Sequence, residues 1–351
     1  LNMYGGLMNL YGGDPFPKSG YYSYSIERVG VALGLKHLGD HDWYREGAWY
    51  YLRNQQRDGS WRVGYSPLIE TSFGILFLAK GRAPFIINKL RWRGDWNCHT
   101  RDLPNLTRYA ENTFEERFRW QIVDLAGSVE EWLDAPVLYL TGHKAPRLFS
   151  AEEKKKLRQY VEKGGVILGE ACCGNQEFDA GFRALVKEIF PESQLRELSE
   201  EHEVYSSHFK IRADASRPLW GLDLPADLIT MPAQASAPTE PPKQSAAEAG
   251  QDNRGAGAAA GGQGKAEPKP PAEKPATRTV VFYAPWAIGC IWNQNLLTNH
   301  EREFQLGVNI FRYATGGRPL RRPLDGSSRP IPVTGTSREP PPARLVEPSL
   351  K

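Results

Sequence analysis

The sequence predicts an α/β fold built on a mostly parallel sheet, with a short all-α segment ahead of it. Three observations predict it. Short apolar runs recur as FIINKL, PVLYLTGH and VILGEA, and that of PVLYLTGH is unbroken, the pattern of a strand buried on both faces. A helix with complete start and stop signals lies between the second and third runs. Strand, helix, strand in this rhythm implies right-handed crossovers between parallel neighbours.

The elements follow in order. Residues 20–82 read as helices, with Ile26, Val29 and Leu33 at helical spacing and Phe73, Leu76 and Phe77 repeating it later. The pattern changes at Gly81-Arg82-Ala83-Pro84. FIINKL is the first strand, and the polar-aromatic loop RWRGDWNCHTRD follows it. A helix is expected from Pro104 to about Thr113, a second strand over RWQIVDLA, a helical turn over SVEEWL, and a third strand over PVLYLTGH. Ser150 and Glu153 form a capping box, in which each side chain satisfies a backbone donor. Leu157, Tyr160 and Val161 make the buried stripe, Lys154–Lys156 lie on the wet side, and Gly164-Gly165 ends the helix. VILGEA is the fourth strand. A further helix is expected from Ala180 to Ile189 with Asp179 as its cap.

From Met231 to Thr277 the composition collapses into Pro, Ala, Gly, Gln, Glu and Lys, too polar to offset its ordering entropy. Apolar sequence returns with TVVFYAPWAIGCIW and FQLGVNIFRYATGG. The division is therefore a helical segment (1–82), an α/β domain (83–230 plus 278–317), a disordered insertion (231–277) and a disordered tail (318–351).

Composition excludes several classes. Forty-four basic residues against 41 acidic leave a net charge of +3, which gives no strong pull toward nucleic acid. No apolar run approaches the roughly 18–20 residues of a membrane span. The N-terminal stretch lacks the basic lead and apolar core of a signal peptide. The chain begins on Leu1, so its N-terminus reads as incomplete, and cytoplasmic and periplasmic locations both stay open. The four cysteines form no disulfide framework, and their spacing fits no zinc pattern; no cofactor and no metal site is expected.

Two resemblances carry further expectations. Gly47, Tyr51, Leu52, Gln55, Gly59 and Trp61 resemble one repeat of the terpene-cyclase and prenyltransferase α/α toroids. There the Gln and Trp tie the end of one helix to the start of the next. The acidic cyclase motif is absent, so cyclase chemistry is not expected. DWNCHTRDLPNL, PVLYLTGH, the SAEE…LRQYVEKGG helix, CCGN and LGVNIFRYATG together resemble domain of unknown function 4159. That bacterial family is similar in fold to class I glutamine amidotransferases and ThuA-like proteins. The resemblance implies a flavodoxin-like three-layer sandwich and supplies no reaction.

Ligands of an open parallel sheet bind at the carboxyl ends of its strands. Asp95, Trp96, Asn97, Gly142, His143, Glu170 and Asn175 are expected there as a small-ligand site. Metal binding through Asp95, His99, His143 and Glu170 is conceivable, but no spacing argues for it. In the amidotransferase-like fold a nucleophilic cysteine sits on a tight turn between small residues. Cys172 has Gly174 two places after but Glu170 two before. Cys173 has Ala171 before but Asn175 after, so each is half a match. Catalysis would use Cys172 or Cys173 with His143, His202 or His208 as base; His300 and Glu301 lack the family's His-x-Glu spacing. The bland reading makes both cysteines small apolar residues at a strand end. The sequence favours a non-catalytic, small-ligand- or glycan-binding domain in a larger assembly, with a polar ligand or protein as partner and no nucleic acid. A cysteine-dependent hydrolase or amidotransferase-like enzyme is the alternative.

Overall fold

Burial on both faces shapes the centre of the molecule. The computed structural model describes residues 19–39, 41–62, 66–81, 83–146, 149–230 and 277–316. The insertion (231–277, Thr277 excepted), most of the N-terminal stretch before Gly20 and the tail (318–351) lie outside the described residues. Three helices, α1 (Gly20–Leu33), α2 (Trp43–Asn54) and α3 (Pro67–Gly81), come first, with a two-residue hairpin of β1 (His37–Leu38) and β2 (His41–Asp42) between α1 and α2. They are followed by β3 (Phe85–Arg91), α4 (Asp102–Phe114), β4 (Arg119–Asp124), α5 (Val129–Trp132), β5 (Val137–Gly142), α6 (Ala151–Glu162), β6 (Val166–Ala171) and α7 (Gln176–Ile189). Then come β7 (Arg196–Glu197), β8 (Trp220–Pro225), β9 (Thr277–Ala284), α8 (Ile288–Gln294) and α9 (Leu297–Thr315).

One seven-stranded sheet runs in the order β4-β3-β5-β6-β9-β8-β7. The strands from β4 to β9 are parallel, and β8 and β7 close the far side antiparallel. Alternate residues of β5 feed opposite cores. Leu138 and Leu140 pack with Leu157, Tyr160, Phe178 and Phe182 of α6 and α7. Val137 and Tyr139 pack with Leu106, Trp292 and Phe304 of α4, α8 and α9. Helices thus cover both faces, as a sheet of fully buried strands requires. The parallel strands occur in space as second, first, third, fourth and fifth in chain order, so chain direction switches between β3 and β5.

The capping box of α6 forms as expected: Ser150 N–H donates to Glu153, and Glu153 N–H donates back to Ser150 Oγ. A second box, Ser128 with Glu131, starts α5. Helix α7 begins at Gln176, earlier than Ala180, because Asn175 Oδ1 and not Asp179 accepts the first free N–H groups, those of Glu177 and Phe178. Lys156 is not wet: its ammonium donates to the Leu125 and Gly127 carbonyls and lies over the Trp132 ring. The N-terminal helices have a core of their own around Trp43, Tyr51, Trp61 and Phe77. They dock on the β4 edge, where Ile122 N–H donates to the Gly34 carbonyl. Among the described residues no helix is long and apolar enough to cross a membrane.

Candidate functional site

The carboxyl ends of β3, β5, β6 and β9 open on one edge of the sheet, so the four segments that follow them meet there. Three ties set that meeting. Trp92, just past β3, donates its indole N–H to the Thr141 carbonyl at the end of β5 (3.1 Å). Gly142 leaves room for this: a Cβ there would lie 2.8 Å from Trp92 and 2.9 Å from Asp95. Lys89 of β3, buried and ion-paired to Asp102 (2.7 Å), donates to the His99 carbonyl (2.5 Å) and pins the loop.

Asp95 is the centre of the first group of site residues. Its carboxylate accepts the backbone N–H of His143 (2.8 Å) and of Lys144 (3.2 Å), and Oδ2 lies 2.7 Å from His143 Nδ1. A carboxylate only accepts, so Nδ1 carries the proton and Nε2 is left to act on something else. Burial pushes the Asp95 carboxyl up, but these donors outweigh it and hold it below its ordinary value. Cys173 on the neighbouring turn is the largest influence on the His143 imidazole, and His143 is the largest influence on the Cys173 thiol. Their interaction raises the imidazole pKa and lowers the thiol pKa. The result favours a thiolate–imidazolium pair.

Cys173 lies on the turn between β6 and α7 with φ 55° and ψ 21°, a left-handed conformation costing an L-residue roughly 1–2 kcal/mol. The side chain is exposed, whereas that of Cys172 is fully buried. The reading of both as buried apolar residues therefore suits Cys172 and not Cys173.

A second group surrounds the same turn. His99 Nε2 lies 3.2 Å from Cys172 Sγ and 2.9 Å from Cys290 Sγ, and Cys173 Sγ lies 3.8 Å from Cys172 Sγ and 3.3 Å from Cys290 Sγ. Cys98 Sγ lies 3.9 Å from Thr141 Oγ1 and, with a ring nitrogen of His143, within 4.8 Å of Cys172 Sγ. All four cysteines of the chain meet here as free thiols. Contact with Cys98, then burial, raises the Cys172 thiol far above its ordinary value, and burial with the neighbouring Cys173 pushes Cys290 up to about 12. Burial lowers His99, which favours a neutral ring.

Of the residues expected from sequence, Asp95, Gly142, His143, Cys172 and Cys173 come together. Trp96 packs half-buried against the core and Asn97 is exposed beside it. Asn175 is occupied as the α7 cap. Glu170 lies inside β6, fully buried under the site; it accepts from Thr141, from Tyr139 (2.8 Å) and from Gly289 N–H (3.2 Å), and burial pushes it up to about 7. It ties α8 to the sheet through the Gly289 N–H. His202, His208 and His300 are engaged elsewhere, with Thr279, with Phe114 and Phe209, and with Glu303. His99, Cys98 and Cys290 complete the cluster; His99 was named only as a conceivable metal ligand, and Cys98 and Cys290 were not among the expected site residues. Cys173 and Cys290 are 117 positions apart, so no local motif could announce the meeting.

The family model of a domain of unknown function, DUF4159, matches residues 86–315. No curated protein matches the chain. Among solved structures, the mmIFT52 N-terminal domain is similar at 16% identity, over 39% of this chain and 64% of that one, with a TM-score of 0.23. So low a score carries no argument about fold or function.

Proposed function

We propose, from the premise that this chain belongs to the DUF4159 family, that it is a thiol-dependent hydrolase or acyl-transfer enzyme with Cys173 as nucleophile, His143 as general base and Asp95 as the group that orients the base. One observation carries the reading: an exposed cysteine on a left-handed strand-to-helix turn has its thiol pKa lowered chiefly by an imidazole whose Nδ1 is held by a carboxylate at 2.7 Å. Nucleophile, base and orienter in that chain is the arrangement thiol catalysis needs. The thiolate attacks a carbonyl carbon, and a thioester forms as the departing amine or alcohol takes its proton from His143. Water, deprotonated by His143, then releases the acid and restores the thiol.

The test is alkylation by iodoacetamide, together with ester, amide and glutamine turnover. The expected result is rapid labelling at Cys173, no turnover in Cys173→Ala, and losses of about 10²–10⁴ in His143→Ala. Cys173 labelling no faster than an ordinary exposed thiol, with no turnover of any substrate, would sink the proposal. A second reading, binding without turnover, rests on the exposed Asn97 and half-buried Trp96 beside Asp95. A polar metabolite or glycan that raises the melting temperature equally in wild type and Cys173→Ser supports it.

Two finer readings belong here. The strand order and the cysteine turn suit the amidotransferase-like and ThuA-like fold. Helices α1–α3 suit a fragment of an α/α toroid: Gln55 donates to the Gly59 carbonyl, Trp61 donates to the Tyr51 carbonyl, and Tyr21, Leu68 and Ile75 face outward as a stacking repeat would leave them.

A further inference from the structure

We propose that His99, Cys172, Cys173 and Cys290 form a four-coordinate site for one borderline-soft divalent cation of the zinc type. The four ligand atoms lie within 4.8 Å of one another and come from three separate segments: the loop after β3, the turn after β6 and the first turn of α8. Zinc bonds of about 2.3 Å to sulfur and 2.0–2.1 Å to nitrogen imply tetrahedral edges of about 3.8 Å between sulfurs and about 3.6 Å between sulfur and nitrogen. Four of the six edges measure 3.8 and 3.3 Å between sulfurs, and 3.2 and 2.9 Å from His99 Nε2 to sulfur. Three of these four edges are shorter than the tetrahedral values by about 0.4–0.7 Å and the other two pairs of ligand atoms lie within 4.8 Å, so an outward shift of the side chains of about that size admits the ion.

Hydrogen bonding alone leaves this arrangement poorly satisfied. A single imidazole nitrogen has one proton or one lone pair to offer, yet Nε2 faces two sulfurs at once, and the third sulfur faces both of those. A cation at the centre satisfies all four. Three sulfurs and one nitrogen select a soft or borderline ion and exclude magnesium and calcium, which need oxygen ligands. Binding displaces the thiol protons to solvent. The backbone positions are already fixed: Lys89 holds the His99 carbonyl, and Glu170 holds the Gly289 N–H just before Cys290.

This site stands on ligand geometry and does not rest on the thiol-enzyme reading. The two share Cys173, so where both hold, bound metal masks the nucleophile and a chelator releases it.

Cobalt(II) titration of the full chain, reduced and stripped with chelator, tests the site without substrate. One equivalent is expected to bind with the intense visible bands of tetrahedral thiolate coordination, and zinc is expected to displace it one for one. Cys290→Ala and His99→Ala should lose those bands and weaken binding at least tenfold, with circular dichroism confirming that each variant folds. Cys98→Ala, whose sulfur is not one of the four ligand atoms, should keep them. A six-coordinate spectrum, no stoichiometric binding, or bands that survive His99→Ala and Cys290→Ala but vanish in Cys98→Ala would overturn the proposal. Intact cobalt binding with no thiol turnover after chelation leaves the metal site standing and removes the enzyme reading.

Discussion

Cys173 shows how a single position can be half-legible. The small residue expected two places after a nucleophile is Asn175, which in isolation argues against Cys173. In the structure the Asn175 side chain turns toward the helix and caps α7. Asp95 and His143 were legible as carboxyl-end residues, but their mutual bond depends on a contact 48 residues apart. Histidine also sets a pH dependence away from the site. His202 Nδ1 accepts the Val204 N–H (3.1 Å), while Nε2 lies 2.9 Å from Thr279 Oγ1, so the ring is neutral in the folded protein. Burial lowers its pKa below the ordinary 6.5. Between the folded value and 6.5 the unfolded chain binds more protons, so this stability is full above pH 6.5 and is lost as pH falls through the window. Urea midpoints compared at about pH 8 and about pH 5 should therefore fall further in wild type than in His202→Asn, which keeps an acceptor for Val204 and cannot titrate. Equal falls in the two proteins would show that His202 contributes nothing to the slope.

At the scale of elements, Lys89 is the informative departure from pattern. FIINKL reads as a buried strand in spite of its lysine, and a buried lysine needs a partner. The partner is Asp102, the first residue of α4; both side chains are 1% exposed. The pair joins strand, helix and His99 loop, so it supports the site as well as the fold. Lys89→Met leaves a buried carboxylate unpaired and should cost about 3–5 kcal/mol in urea unfolding. Lys89→Met with Asp102→Leu should recover most of that loss, and recovery of none would mean that the His99 carbonyl bond, not the ion pair, is what matters. Elements with local signals were legible: the Ser150 box, the Gly164-Gly165 stop, and the apolar strands. Lys156 was misread because its carbonyl acceptors lie in the β4–α5 connection, which helical periodicity cannot show.

For the whole molecule, the rhythm of strands and helices made the parallel half of the sheet legible, and with it the edge where a site belongs. The antiparallel half was not. No element was expected between Pro191 and Thr230, yet β8 lies there and pairs with β9 across the low-complexity insertion. That pairing puts β9 beside β6 and delivers Cys290 to the cysteine turn. The chain leaves and re-enters the sheet at one place, since Pro225 and Thr277 are direct register partners and Thr230 N–H is held by the Glu162 carbonyl (2.6 Å). A short connection can therefore replace residues 235–275. If residues 235–275 are the unstructured link their composition predicts, shortening it about fivefold favours the folded state by roughly 1–1.5 kcal/mol, which raises the melting temperature of a domain this size by a few degrees. A Gly/Ser link in place of 235–275 should accordingly match or slightly exceed the wild-type melting temperature and keep the cobalt spectrum, because every ligand lies outside the exchange. A melting temperature lower by more than about 5 °C would mean that the replaced residues pack on the domain. A lost spectrum at unchanged stability would mean that the insertion helps hold β9 in register for Cys290.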